Sequence, residues 1–264
     1  MRRTRRGSTA QVFVLGIQKA GTTAIATLLA RATGNSLTSD FMHHEKDMEY
    51  RLRVIHRDVP FDQFLRKNRK YLSRAIVKDP NLSFFYDELV EHFPDAKFVF
   101  ISRDPRDNIR STLNWMKLPG NLEDLGPPFE HHPYKFESWK LMIEGKFPPV
   151  GGNTYIERLA NRWKLAVDSY LRHRDRIALI RYEDFMKDKA AAITSLAREV
   201  GLEPSCDVTK DLDVQYQPRG NREVTWNEFF GAPNLHRIED LCAPEMEQLG
   251  YCPLDSNLKL TPAG

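Results

Sequence analysis

The stretch LGIQKAGTTAIATLLA, Leu15–Ala30, decides how the chain is read. It grows out of a short apolar run, VFVL at Val12–Leu15, and passes through Gly16 and Gly21 at the spacing of a phosphate-binding loop. From Thr22 onward the apolar positions Ile25, Leu28, Leu29 and Ala32 share one helical face, and Gly34 is placed to stop that helix. Strand, glycine loop and helix in this order aim backbone N–H groups and the positive helix end at an anion. Yet a loop for nucleoside triphosphates reads G-x-x-x-x-G-K-[ST], with its lysine directly after the second glycine. Here Thr22 holds that place and the lysine is Lys19, inside the loop. A magnesium-bound triphosphate is poorly served by this arrangement, because the missing lysine is the one that reaches the β- and γ-phosphates. Lys19, Thr22 and Thr23 instead offer a point charge and two hydroxyls to an anion with several oxygens.

Outward from the loop, strands alternate with amphipathic helices. AIVK (75–78), KFVFIS (97–102) and Arg176–Arg181 read as strands. Phe61–Leu72 reads as a helix. Asn81 is placed to cap another, which buries Leu82, Phe85, Leu89 and Phe93, and Asp104–Pro105 to cap a third, through Ile109, Leu113 and Met116. Further helices run through Ile156–Tyr170 and through Ile193–Val200, the last ending at Gly201. Residues 35–60 are polar and weakly periodic. Residues 117–153, rich in proline, glycine and aromatics, read as a long lid or binding loop. The alternation predicts an α/β fold, a P-loop-like parallel sheet flanked by helices on both faces. Ligands of such sheets bind beyond the carboxyl ends of the strands. That rule brings Gly16–Thr23, Lys78–Pro80, Arg103–Pro105 and Tyr182–Glu183 to one rim.

Bulk properties narrow the partners. The 264 residues are 41% hydrophobic and 28% charged, enough for one substantial core, read here as a single domain over residues 11–264. With 39 basic and 36 acidic residues the net charge is +3, too balanced for a duplex-binding surface, so no nucleic-acid partner is expected. Arg2, Arg3, Arg5 and Arg6 read as a solvated, disordered tail over residues 1–10, without the apolar run of a secretory signal behind them. No stretch approaches the roughly 18 apolar residues that span a bilayer. Cys206, Cys242 and Cys252 fit reduced thiols in a cytoplasmic protein. The histidine pairs, His43–His44 and His131–His132, are adjacent in sequence with no cysteine spaced to join them, so no metal is expected. The sequence leaves the oligomeric state open.

A second cluster, RDPRDNIRST at Arg103–Thr112, follows KFVFIS. Arg103 and Ser111 are placed to donate to one phosphate, while Arg106, Asp107 and Arg110 read as solvated charges of a capped helix. K-x-G-T-T after the first strand, joined to R-[DN]-P-x-[DE]-x-x-x-S about 80 residues later, resembles the sulfotransferases that use 3′-phosphoadenosine 5′-phosphosulfate (PAPS). IRYEDF (180–185) and PRGNR (218–222) are similar to that family's adenine segment and its C-terminal arginine-glycine loop. The resemblance implies that Lys19, Ala20, Gly21, Thr22 and Thr23 hold the 5′-phosphosulfate, with Ala24 beside them against the donor. It gives the 3′-phosphate to Arg103, Ser111, Arg219 and Gly220, and the adenine side to Tyr182. It explains the displaced lysine as well. Sulfuryl transfer leaves charge on the bridging oxygen of the 5′-phosphate, and Lys19 within the loop meets that charge. Lys78 in VKDP stands where the family often has a second lysine near the sulfuryl group, the alternative being a surface lysine at a strand end.

The chain also departs from the family. Where many cytosolic members stack a tryptophan on adenine, it has Ala24, and where their K-T-H histidine acts as base, it has Pro80. An acceptor hydroxyl needs a base within reach. Carbohydrate-modifying relatives use a glutamate after the first helix, where this chain has Glu45, then Asp47 and His44 as further candidates. The acceptor implied is a small molecule or a glycan, with Phe129, Tyr134, Phe136 and Trp139 in the 117–153 segment available to stack on it. Two other readings remain: a P-loop kinase or nucleotide hydrolase, which Thr22 argues against, and a nucleotide-binding protein without turnover.

Overall fold

The apolar runs do form the strands of one sheet. In the computed structural model, which describes residues 11–126, 129, 132–134, 136–216 and 223–252, the strands are β1 (Val12–Gly16), β2 (Leu37–Ser39), β3 (Ile76–Lys78), β4 (Lys97–Ser102) and β5 (Ile177–Arg181). All pair in parallel, in the order β2-β3-β1-β4-β5. The tail expected over residues 1–10 and the PRGNR segment with Arg219 and Gly220 lie outside the described residues, as does His131. The helices are α1 (Thr22–Ala32), α2 (Met48–Ile55), α3 (Phe61–Lys67), α4 (Tyr86–His92), α5 (Pro105–Met116), α6 (Glu137–Ile143), α7 (Tyr155–Arg172), α8 (Tyr182–Lys187), α9 (Lys189–Glu199) and α10 (Trp226–Gln248).

β1 is the central strand and every one of its residues is buried, as expected of a parallel strand covered on both faces. After β1 the chain runs to the edge strand β2 and returns to β3, beside β1, then crosses to β4 and β5 on the other side. The carboxyl end of β1 is therefore the topological switch point, and the glycine loop sits there. α1 packs with α9, while α5, α7 and α10 pack on one another.

Several expectations need correction. Residues 35–60, read as polar and weakly periodic, hold β2, a 3-10 turn at Phe41–His44, and α2. β2 has only three residues, too few to show a period, and α2 buries only Val54 and Ile55. The helix expected over 61–72 stops at Lys67 and a separate 3-10 turn, Arg69–Leu72, completes it. The cap near residue 81 is Asp79, whose carboxylate accepts from the Asn81 amide and starts a 3-10 turn at Pro80–Phe84 before α4. Asn81 is itself buried and spends its side chain on the interior. The 117–153 segment is not all loop, since it contains α6.

Arg106 is not a solvated charge. It is 3% exposed, ion-paired at 2.6 Å with both Asp104 and Glu239, and lies over the Trp226 ring. Glu239 and Trp226 belong to α10, which the apolar pattern does not reveal. Gly231, at φ 68° and ψ 157°, kinks that helix and breaks its period.

Candidate active site

Four segments meet at the carboxyl edge of the sheet. The first is the loop from Gly16 to Thr23. Gly16 (φ 131°) exchanges two hydrogen bonds with Ser83, donating its amide at 2.7 Å and accepting at 2.6 Å. A Cβ at Gly16 would lie 2.7 Å from the Ile101 carbonyl, and one at Gly21 (φ 91°) would lie 2.4 Å from the Tyr182 ring, so both positions demand glycine. Lys19 has φ 68°, unusual for a residue with a side chain. Bonds at two successive carbonyls hold it there: Asn108 Nδ2 donates to Gln18 O at 2.9 Å and Arg103 Nη1 to Lys19 O at 2.8 Å. α1 begins at Thr22 with no side-chain oxygen from Gly21 on its first amides and no acid in its first turn. These amides suit an anion. Thr22 and Ala20 are buried, while Thr23 and Ala24 are half-buried.

The Lys19 ammonium lies 4.6 Å over the ring of Trp115, on α5. Burial, with the Arg103 guanidinium adding repulsion, pushes its pKa down to about 8. Arg103, the second expected anchor, leaves β4 against the Tyr182 ring, 4.7 Å from its centroid, and its carbonyl accepts from the Trp163 indole at 2.9 Å. Its turn is braced from behind. Glu183 accepts from the Asp104 amide at 2.9 Å and from the Tyr251 hydroxyl at 3.1 Å, and that hydroxyl also bonds Ser102 at 2.9 Å. Ser111 is half-buried on α5, one helical turn before Trp115. Arg110, beside it, donates to Val224 O at 2.8 Å, so the chain resumes against α5 just after PRGNR.

The third segment is the end of β3. Lys78 is 1% exposed, so it is no surface lysine. Its ammonium donates to Thr23 Oγ1 at 2.9 Å and to Asp40 Oδ1 at 2.6 Å. Asp40, in a left-handed turn (φ 52°) after β2, is the carboxylate the sequence reading missed, and its side chain is 49% exposed. An isolated aspartate after a three-residue strand gives no pattern; the signal available was its place at a strand's carboxyl end.

The expected bases sit beside it, each with a partner. Glu45 is buried and pairs with Lys67 at 2.6 Å. Burial works upward on its carboxyl, but the Lys67 hydrogen bond and the Asp47 amide outweigh this and hold it below the usual range. Asp47 caps α2 through the Tyr50 amide. His44 stacks on Tyr71 at 3.9 Å, and burial, then the Lys46 charge, lowers its pKa.

α6 closes the fourth side. Trp139 lies 6.2 Å from Trp115, and Phe136, 44% exposed, meets His43 edge-on at 6.0 Å. The N-terminal end of this helix thus lies between Trp115, under the Lys19 ammonium, and the segment after β2. Tyr134 and Phe129 instead pack around His132, which bonds Met116 O.

Several solved structures share this architecture. The mouse sulfotransferase SULT7A1 complexed with PAP, adenosine 3′,5′-bisphosphate, is 15% identical, with TM-score 0.56 over 93% of this chain and 88% of that one. Sulfotransferase STF1 from Mycobacterium tuberculosis is 13% identical, with TM-score 0.53 over 90% and 77%. Sulfotransferase STF9 from Mycobacterium avium is 14% identical, with TM-score 0.50 over 92% and 77%. No curated protein matches the sequence. At such identities the likeness speaks for the fold. Membership rests on sequence, for the family model described as Sulfotransferase family (Sulfotransfer_3) matches residues 32–205, from the end of α1 through β5 and α9. With the lysine-bearing glycine loop and the Arg103 turn tied together at one sheet edge, this chain belongs to the sulfotransferase family.

Proposed function

We propose that the protein transfers the sulfuryl group of PAPS to a hydroxyl of a small-molecule or carbohydrate-like acceptor and releases adenosine 3′,5′-bisphosphate. The observation that carries this reading is the bond from Arg103 to the Lys19 carbonyl, which joins the two anion-binding segments across the edge of β1 and β4. The loop amides, Thr22 and Thr23 take the 5′-phosphosulfate. Arg103 and Ser111, with Arg219 and Gly220, take the 3′-phosphate, and Tyr182 lines the adenine side. The donor supplies the sulfuryl group and a bisphosphate leaving group.

The base is Asp40. It is the half-exposed carboxylate that touches Lys78, whereas Glu45, Asp47 and His44 are each held by another partner. Asp40 takes the acceptor proton as the acceptor oxygen bonds to sulfur. Lys19 stabilises the charge left on the 5′-phosphate oxygen, and Lys78 stands by the sulfuryl oxygens and orients Asp40. Trp115, Trp139 and Phe136 line the acceptor side, with residues 117–153 as its cover. Residues 11–264 act as one catalytic domain in the cytoplasm.

Calorimetry and labelled donor test this together. Adenosine 3′,5′-bisphosphate should bind roughly 10- to 100-fold tighter than AMP, the worth of charge-assisted hydrogen bonds to the 3′-phosphate. Equal affinities would refute the donor assignment. Labelled PAPS should yield sulfated product from some member of a phenol, sterol and sugar panel. Tight bisphosphate binding without any product would favour a protein without turnover, and magnesium-dependent ATP consumption a kinase.

A further inference from the structure

Two consecutive residues of α7, Arg162 and Trp163, reach the two anion-binding segments from beneath. Arg162 is 2% exposed. Its Nη2 donates to the Gln18 side chain, in the loop beside Lys19, and at 3.4 Å to Asn81 Oδ1, and its Nε donates to Phe147 O at 3.3 Å. Gln18 is tied to Asn81 in turn, at 3.1 Å. Asn81 donates through its amide and its side chain to Asp79, at 2.7 and 3.0 Å, and Asp79 accepts from the Met42 amide at 2.7 Å, two residues past Asp40. Trp163, 1% exposed, donates its indole N–H to the Arg103 carbonyl at 2.9 Å.

A buried guanidinium is costly to desolvate and is tolerated where hydrogen-bond partners match its rigid fork of donors. Here the partner is a side chain of the glycine loop, whose next residue holds a left-handed backbone. Neither α7 residue lies at the rim itself. Both act through groups that do.

We propose that Arg162 and Trp163 are positioning residues, a rigid brace in which Arg162 sets the glycine loop, through Gln18, and Trp163 sets the Arg103 turn, so that one helix fixes the spacing between the 5′- and 3′-phosphate grips. This rests on reading those two segments as the grips for a bisphosphate. The brace predicts a crossed pattern that a general loss of stability does not produce. Arg162→Met should weaken AMP, held by its 5′-phosphate, about tenfold, the worth of a charged hydrogen bond, and leave adenosine 3′-monophosphate unchanged. Trp163→Phe should weaken adenosine 3′-monophosphate about tenfold and AMP less, since only the Arg103–Lys19 bond carries its effect to the loop. Arg162→Met combined with Gln18→Leu should lose less than the sum of the two single losses, because both remove the Arg162–Gln18 contact. Arg162→Lys, which keeps one donor, should recover part of the loss.

A ligand-free measurement separates the brace from the functional reading. Hydrogen exchange of the peptide over residues 16–24 should quicken about tenfold in Arg162→Met and in Gln18→Leu, with β4 and α7 unchanged, the signature of local opening. If wild-type protein binds none of the nucleotides while this exchange pattern holds, the donor reading fails and the brace stands. Parallel weakening of both mononucleotides in both variants, or exchange that rises over the whole sheet or nowhere, would overturn the brace.

Discussion

Raising the pH should weaken bisphosphate binding through a single group, Lys19. In the free protein burial holds its ammonium to a pKa of about 8, against an ordinary lysine value of 10.5. Below pH 8 it is charged and ready to meet an anion. Above pH 8 it must first take up a proton, and linkage then makes Kd rise about tenfold per pH unit until the pKa of the complex is reached. Between pH 7 and 9.5 this amounts to about 30-fold, whereas an unperturbed lysine would lose only about a tenth of its affinity over the same range. The ligand itself adds little slope, since both phosphates are essentially dianions above pH 7 with a second pKa of about 6. Stability runs the other way. The folded protein binds fewer protons than the unfolded chain between about 8 and 10.5, so the Lys19 contribution to stability rises with pH across that window. Calorimetry in two buffers of different ionisation enthalpy reads both quantities, and proton uptake should approach one per ligand near pH 9. Lys19→Ala should bind more weakly at pH 7, with a flat profile. A flat wild-type profile, or an equal slope in Lys19→Ala, would refute the assignment of the titrating group.

Two other substitutions test the rim. Asp40→Asn should lower the transfer rate by roughly two to four orders of magnitude, the range for loss of a general base, with bisphosphate affinity little changed; single-turnover rates that barely move would shift the base elsewhere. Gly21→Ala places a methyl against the Tyr182 ring in a left-handed conformation, so it should cost about 1–3 kcal/mol and lose bisphosphate binding, and an unchanged melting temperature and Kd would show that the loop yields.

The sheet was legible because its strands are covered on both faces, so VFVL, AIVK and KFVFIS stand out as unbroken apolar runs. α1 and the Asp104 cap followed from short-range rules that tertiary context did not override. Asp40 was not legible, for a carboxylate at a three-residue edge strand carries no period, and its contact with Lys78 spans 38 positions. Glu45 stood out as the glutamate after the first helix, yet its partner Lys67 lies on a different helix. Arg106 and Arg162 look like ordinary helix-surface charges in sequence, and only the packing of α10 and of the glycine loop against their helices buries them. α10 itself was masked by the kink at Gly231 and by Pro233 and Pro244.

The Tyr251 hydroxyl makes the Arg103 turn depend on a residue far along the chain. It joins Ser102 across 149 positions and Glu183 across 68, behind the turn that carries Arg103. Contacts so distant along the chain are made late, after the entropy of closing long loops has been overcome. A chain still being synthesised therefore exposes its glycine loop well before the hydroxyl that steadies the Arg103 turn, 149 positions past Ser102, has been made.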